Sequence, residues 1–118
     1  MTELLPDEQL IERYVAAAAG HRRATEEGNP RKANEQHDIL AAAYRELRKR
    51  GLAAQRKLLP LLVHADVGVR IWAAAHALEF SPHDGEPVLV AIATLSGPIG
   101  FSAEMTLKEW RKGRLEFP

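Results

Sequence analysis

The sequence predicts an all-α protein of about three antiparallel helix pairs. Alanine, leucine and charged helix formers dominate the 118 residues, and β-branched residues are sparse. Apolar residues recur at three- and four-residue spacing, without the alternation of strands. Glycine, proline, serine and asparagine gather at 28–30, 51, 81–82 and 96–100, leaving segments of helix length between them.

Pro6, Asp7 and Glu8 mark the first helix start, with proline early and acids facing the positive end of the macrodipole. This helix is expected to reach about Glu27, with Leu10, Tyr14, Ala17, Ala18 and His21 on one core-facing stripe. Gly28, Asn29 and Pro30 break the chain. A second helix is expected over about 31–50, burying Ile39, Leu40, Ala43, Tyr44 and Leu47. Arg45, Arg48, Lys49 and Arg50 crowd its last turns, where cations suit the negative helix end, and Gly51 reads as its C-terminal cap. The third helix, about 53–63, holds Pro60 and should bend or begin again there. Asp66 is placed to cap a fourth helix over 67–80, which Ser81 and Pro82 end. A fifth helix is expected over about 85–95. A sixth, capped by Ser102, should run to Lys112, with Gly113 closing it. Short turns joining helices of this length give the element pattern of an α-solenoid, in which each pair covers its apolar face by stacking on the next.

One domain spanning 1–118 is expected for this length, divided into a capping hairpin at 1–50, a repeat at 52–80 and a terminal hairpin at 84–114. A hydrophobic share of 46% and a charged share of 27% suit a chain that folds by burying a core. There is no cysteine, which excludes a disulfide framework, a thiolate metal site and a catalytic thiol. The acidic start, with Glu3, Asp7 and Glu8, lacks the basic n-region and apolar core of a signal peptide, and no apolar run approaches bilayer length. A cytoplasmic location with no membrane partner is the resulting expectation.

Sixteen basic residues balance sixteen acidic ones, so bulk charge gives no reason to expect a polyanionic partner. The distribution is uneven. Residues 1–40 carry five basic and eight acidic side chains, 41–70 seven and two, and 71–118 four and six. The basic excess falls where the second helix meets the repeat, as a ridge of Arg45, Arg48, Lys49, Arg50, Arg56 and Lys57. Its bland reading is a helix C-terminus and a solvated turn; its functional reading is a patch that meets an acidic protein surface.

No pattern carries chemistry. His21, His37, His64, His76 and His83 lack metal-ligand spacing, and His37 beside Asp38 is read as two side chains pointing apart. His76, four residues from both Trp72 and Phe80, is read as packing at the edge of a core stripe. Ser81, Ser96 and Ser102 sit in no nucleophile elbow, and the carboxylate pairs at Asp7-Glu8 and Glu26-Glu27 read as solvated helix ends. No glycine-rich phosphate loop occurs. The chain is therefore read as non-enzymatic, with no cofactor and no metal.

From Leu58 to Leu78 the residues resemble a HEAT repeat: Leu58, Leu59, Pro60, Leu61 and Leu62, then Asp66, Val69 and Arg70, then Ala73, Ala74, Ala77 and Leu78. The resemblance implies a right-handed α-α superhelix and structural roles for Pro60, Asp66 and Arg70, with Arg70 bonding between neighbouring repeats. The chain as a whole also resembles a small bacterial HEAT-like family named only as a domain of unknown function. The His21–Asn34 region, Glu46–Gly51, Leu58–Arg70 and Gly100–Trp110 carry that likeness. Small HEAT-like groups include candidate immunity proteins, so the resemblance implies a protein partner, with a toxin encoded nearby as one version. Helices two, four and six would line the concave side, with Arg45, Arg48, Arg50, Arg56, Trp72 and Trp110 as partner contacts. Trp110 is also expected to seal the final hairpin. The alternative is a nucleic-acid-binding or base-processing HEAT-like protein, which two tryptophans and a zero net charge disfavour. The oligomeric state is expected to be a monomer or weak homodimer.

Overall fold

The computed structural model describes residues 4–118; Glu3, part of the acidic start, lies outside them. All regular structure among the described residues is helical: α1 (Asp7–Glu26), α2 (Pro30–Arg50), α3 (Leu52–Arg56), a 3-10 helix (Leu59–Val63), α4 (Val67–Phe80), α5 (Pro82–Ala93) and α6 (Pro98–Arg111). The chain divides into two compact units, residues 1–57 and 58–117.

In the first unit, α1 and α2 pack on one another across the turn at 27–29. Gly28 takes a positive φ there, and Asn29 caps α2 by accepting a hydrogen bond from the Lys32 backbone N–H, with Pro30 opening the helix. Leu10, Tyr14, Ala17 and Ala18 of α1 meet Leu40, Ala43, Tyr44 and Leu47 of α2 in the buried interior. Burial pushes the Tyr14 phenol well above its ordinary pKa, with Tyr44 adding to the shift. Gln55 of α3 is also buried, and its amide donates to the Tyr44 hydroxyl at 3.1 Å. Two members of the expected stripes depart from the pattern. Ile39 is 41% exposed, and His21 is half-buried.

In the second unit, Ile71, Ala74 and Leu78 of α4 join Leu89 and Ile92 of α5 and Ala103 and Leu107 of α6 in one core. The expected third helix is not continuous: an α-helical turn ends at Arg56 and the chain resumes as a 3-10 helix with Pro60 in its first turn. A proline placed there has no intrahelical donor to lose. Asp66 accepts from the Gly68 backbone N–H at 2.7 Å and caps α4. Arg70 does not bond as the resemblance implied. Its guanidinium donates to the carbonyl oxygens of His64 and Ala65, closing the turn before its own helix.

Two helix starts lie earlier than expected. α5 begins at Pro82 and α6 at Pro98, each with proline at the helix opening. Residues read as breaks are therefore also starts, because proline's fixed φ suits the first helical turn. Ser102 consequently lies inside α6 and does not cap it. Gly85 and Gly100 mark close approaches: a Cβ at Gly85 would stand 2.5 Å from the Ala74 carbonyl oxygen, and one at Gly100 would strike the Leu95 carbonyl.

Candidate interaction surface

The expected basic ridge separates into two kinds of cation. Arg50 donates to Asp7 at 2.8 Å and to Glu46 at 2.9 Å. Lys57 reaches Asp7 at 3.0 Å and Glu8 at 3.5 Å. Asp7 is thus flanked by Arg50 and Lys57, whose hydrogen bonds hold its carboxyl below the ordinary value; the same contacts raise Arg50 and Lys57. The reading of Asp7 and Glu8 as merely solvated is corrected by these contacts, and Arg50 and Lys57 leave the free ridge. The sequence carried no signal for the pairing, because the partners stand on different helices.

Arg45, Lys49 and Arg56 are exposed and hold no ion pair among the described residues. Arg48 is half-buried, its guanidinium 5.7 Å from the centre of the Tyr44 ring, in cation–π range.

Beside α2 runs an open groove of about 440 Å³ confined to the first unit. Leu4, Leu10, Ile39, Ala42 and Ala43 give it an apolar floor, and Arg13 and Asp38 stand among its lining residues. The sequence reading missed it, because it assigned Ile39 to the core.

The expected tryptophan contacts belong to the second unit. Trp72 is half-buried, its ring 5.8 Å from the buried His76. Trp110 is also half-buried and packs on the same core as Trp72, joined there by Leu115 and Phe117 of the C-terminal tail. Both rings therefore serve packing first, with part of each left at the surface.

Two of the five histidines approach one another. The rings of His21 and His37 lie 6.4 Å apart between α1 and α2, and His37 comes within 3.8 Å of Asp38. The histidine–aspartate pair is closer than its reading as divergent neighbours implied. Burial, with a smaller contribution from His37, lowers the His21 pKa. Among the described residues, no group of three or more metal-ligating side chains occurs, and no helix is long and apolar enough to cross a membrane.

These features define a protein whose described residues form two compact, all-helical units. Residues 8–110 match the family described as domain of unknown function DUF2019, and the chain belongs to that family. No curated protein matches it. Among solved structures it is similar to the protein RPA1889 from Rhodopseudomonas palustris CGA009, with 21% identity, full coverage of both chains and a TM-score of 0.89. That likeness speaks to the fold.

Proposed function

We propose that this chain is a non-enzymatic HEAT-like helical-repeat module that binds another protein through the cationic end of α2. The observation that carries the reading is the sorting of its charges. Arg50 and Lys57 are committed to carboxylates within the unit, while Arg45, Lys49 and Arg56 face solvent without such partners among the described residues. Unpaired cations of this kind steer an acidic partner and suppress wrong ones. The HEAT-like assignment is supported by the Pro60, Asp66 and Arg70 turn, which orders the entry to α4. An immunity role, in which the partner is a toxin encoded nearby, is the specific version implied by the resemblance. The cytoplasm and a monomeric or weakly dimeric state belong to the same proposal.

The test is capture from the native cell with the intact chain as bait. A defined protein is expected, and Arg45→Glu with Lys49→Glu should weaken its capture about tenfold or more. Arg50 is unsuitable for reversal because its loss would disturb the first unit. Unchanged capture by the double variant would remove the cations from the proposal. A gel-shift series at low salt addresses the nucleic-acid alternative: the proposal expects no shift, and salt-sensitive retardation of duplex or single strands would replace it. For the immunity version, co-expression should rescue growth against the neighbouring toxin.

A further inference from the structure

We infer that His64 is a proton-sensitive latch on the turn that opens α4: the neutral imidazole holds Asp66 in its capping position, and protonation of the ring releases it. The device lies within the second unit and is independent of the protein-binding reading. His64 follows the 3-10 helix, and its extended backbone leads through Ala65 to Asp66, the N-cap of α4. Its Nδ1 accepts a hydrogen bond from the Asp66 backbone N–H at 3.0 Å. That bond fixes the protonation state. A ring nitrogen accepts only through a free lone pair, so the proton of the neutral ring sits on Nε2. A proton added at Nδ1 turns the acceptor into a donor that faces another donor.

Asp66 starts α4 through two other groups. Its carboxylate accepts from the Gly68 N–H at 2.7 Å, and its carbonyl oxygen accepts from the N–H groups of Val69 and Arg70. The His64 ring holds the third polar group of the same residue. Arg70 closes the turn from α4, donating to the carbonyl oxygens of His64 and Ala65 at 2.7 and 3.1 Å. The 3-10 helix that precedes the ring is wholly apolar, and His76 and Glu79 stand further along α4. α5 also touches the 3-10 helix; its His83 lies against Asp84, and its Glu86 against Arg111. Two charges therefore act on a protonated ring at this turn: the Arg70 guanidinium repels it and the Asp66 carboxylate attracts it. A ring that swings toward the carboxylate leaves the Asp66 N–H, and a ring that stays has no lone pair to offer. In either case the N–H loses its acceptor, and the entry to α4 loosens.

Nuclear magnetic resonance on the full chain reads the latch at single residues. At about pH 8, above the imidazole range, the His64 ring is expected to carry its proton on Nε2 and none on Nδ1. Between about pH 8 and about pH 5 imidazoles titrate and ordinary carboxylates stay ionised. Over that range the Asp66 amide proton should move upfield in step with the His64 ring carbons. Its protection from hydrogen exchange, corrected for the intrinsic effect of pH, should fall about fivefold, as the loss of one ordinary hydrogen bond implies. Asparagine offers an oxygen that accepts from the backbone N–H two residues on and does not titrate. His64→Asn should therefore keep the neutral-pH protection of Asp66 and lose its pH response, whereas His64→Ala should show the lower protection throughout. A proton on Nδ1 at neutral pH, a ring that stays neutral across the range, an Asp66 amide indifferent to the ring, or an Asp66 response in His64→Asn equal to the parent's would each overturn the inference. The ring and amide readings use the parent chain, so they decide the matter even where a substitution prevents folding.

Discussion

The Arg50 guanidinium donates to the Asp7 carboxylate at 2.8 Å, joining positions 43 apart in the chain. Each residue also suits its own helix, with Asp7 at the positive start of α1 and Arg50 at the negative end of α2. Arg50→Glu is expected to lower the thermal midpoint, because it places a third carboxylate beside Asp7 and Glu46. Arg45→Glu, on the exposed surface, should leave the midpoint nearly unchanged. Asp7→Asn gives the pH signature. The folded-state pKa of Asp7 lies below 3.8, so its contribution is full above that value and disappears as pH falls through the depressed one. The midpoints of parent and Asp7→Asn should differ at neutral pH and converge in acid. Thermal unfolding followed by circular dichroism over a pH series reads both.

Histidine chemistry acts in a different window. His21 has its pKa lowered from 6.5, chiefly by burial and further by His37. The unfolded chain then binds the proton more readily, so stability should decline as pH falls below 6.5 and level off beneath the folded-state value. His21→Gln is expected to flatten this part of the profile. A slope unchanged by that substitution would assign the acid sensitivity to other groups.

The two crowded glycines are expected to resist the smallest side chain. At Gly85 a Cβ would meet the Ala74 carbonyl oxygen and the Ala77 Cβ, and at Gly100 it would meet the Leu95 carbonyl. Backbone cannot rotate aside as a long side chain can, so Gly85→Ala and Gly100→Ala should each cost about 1–3 kcal/mol. Urea denaturation measures the loss. At Gly20 the obstacle is the flexible Gln36 side chain, and Gly20→Ala should be much milder.

Capping residues should separate by geometry and not by residue type. Asn29 and Asp66 accept from backbone N–H groups at their helix starts, and replacement of either by alanine is expected to cost about 1 kcal/mol. Ser102 sits on an exposed face within α6, so Ser102→Ala should be neutral or slightly stabilising. Equal losses at all three positions in chemical denaturation would contradict this assignment.

Helical class, the long α1 and α2, and the start of α4 were legible because their signals are local. Apolar periodicity placed Tyr14, Tyr44 and Leu47 inside, and Asp66 sits two residues before the N–H it caps. The starts of α5 and α6 were obscured because Pro82 and Pro98 break one segment and open the next. The candidate surface was legible only in part. Sequence spacing gathered the cations along α2 and α3, but it could not distinguish Arg45 from Arg50, since that difference depends in part on Asp7 from another helix. Likewise, Ile39 has the period of a core residue, and only the packed α1–α2 pair leaves it at the edge of a groove.

Packing in this chain is arranged largely in order of synthesis: α2 lies against α1, α5 against α4, and α6 against α5. Such near-neighbour contacts require little loop closure before they reward the chain, which places helical proteins of this type at the fast, microsecond-to-millisecond end of folding rates. A growing chain can therefore mate α1 with α2 as soon as both have emerged, before the last core helix exists. The final helix has a different history: Ala103 and Leu107 complete the α4–α5 core last, so a ribosome stalled before α6 would display that core's apolar face to chaperones.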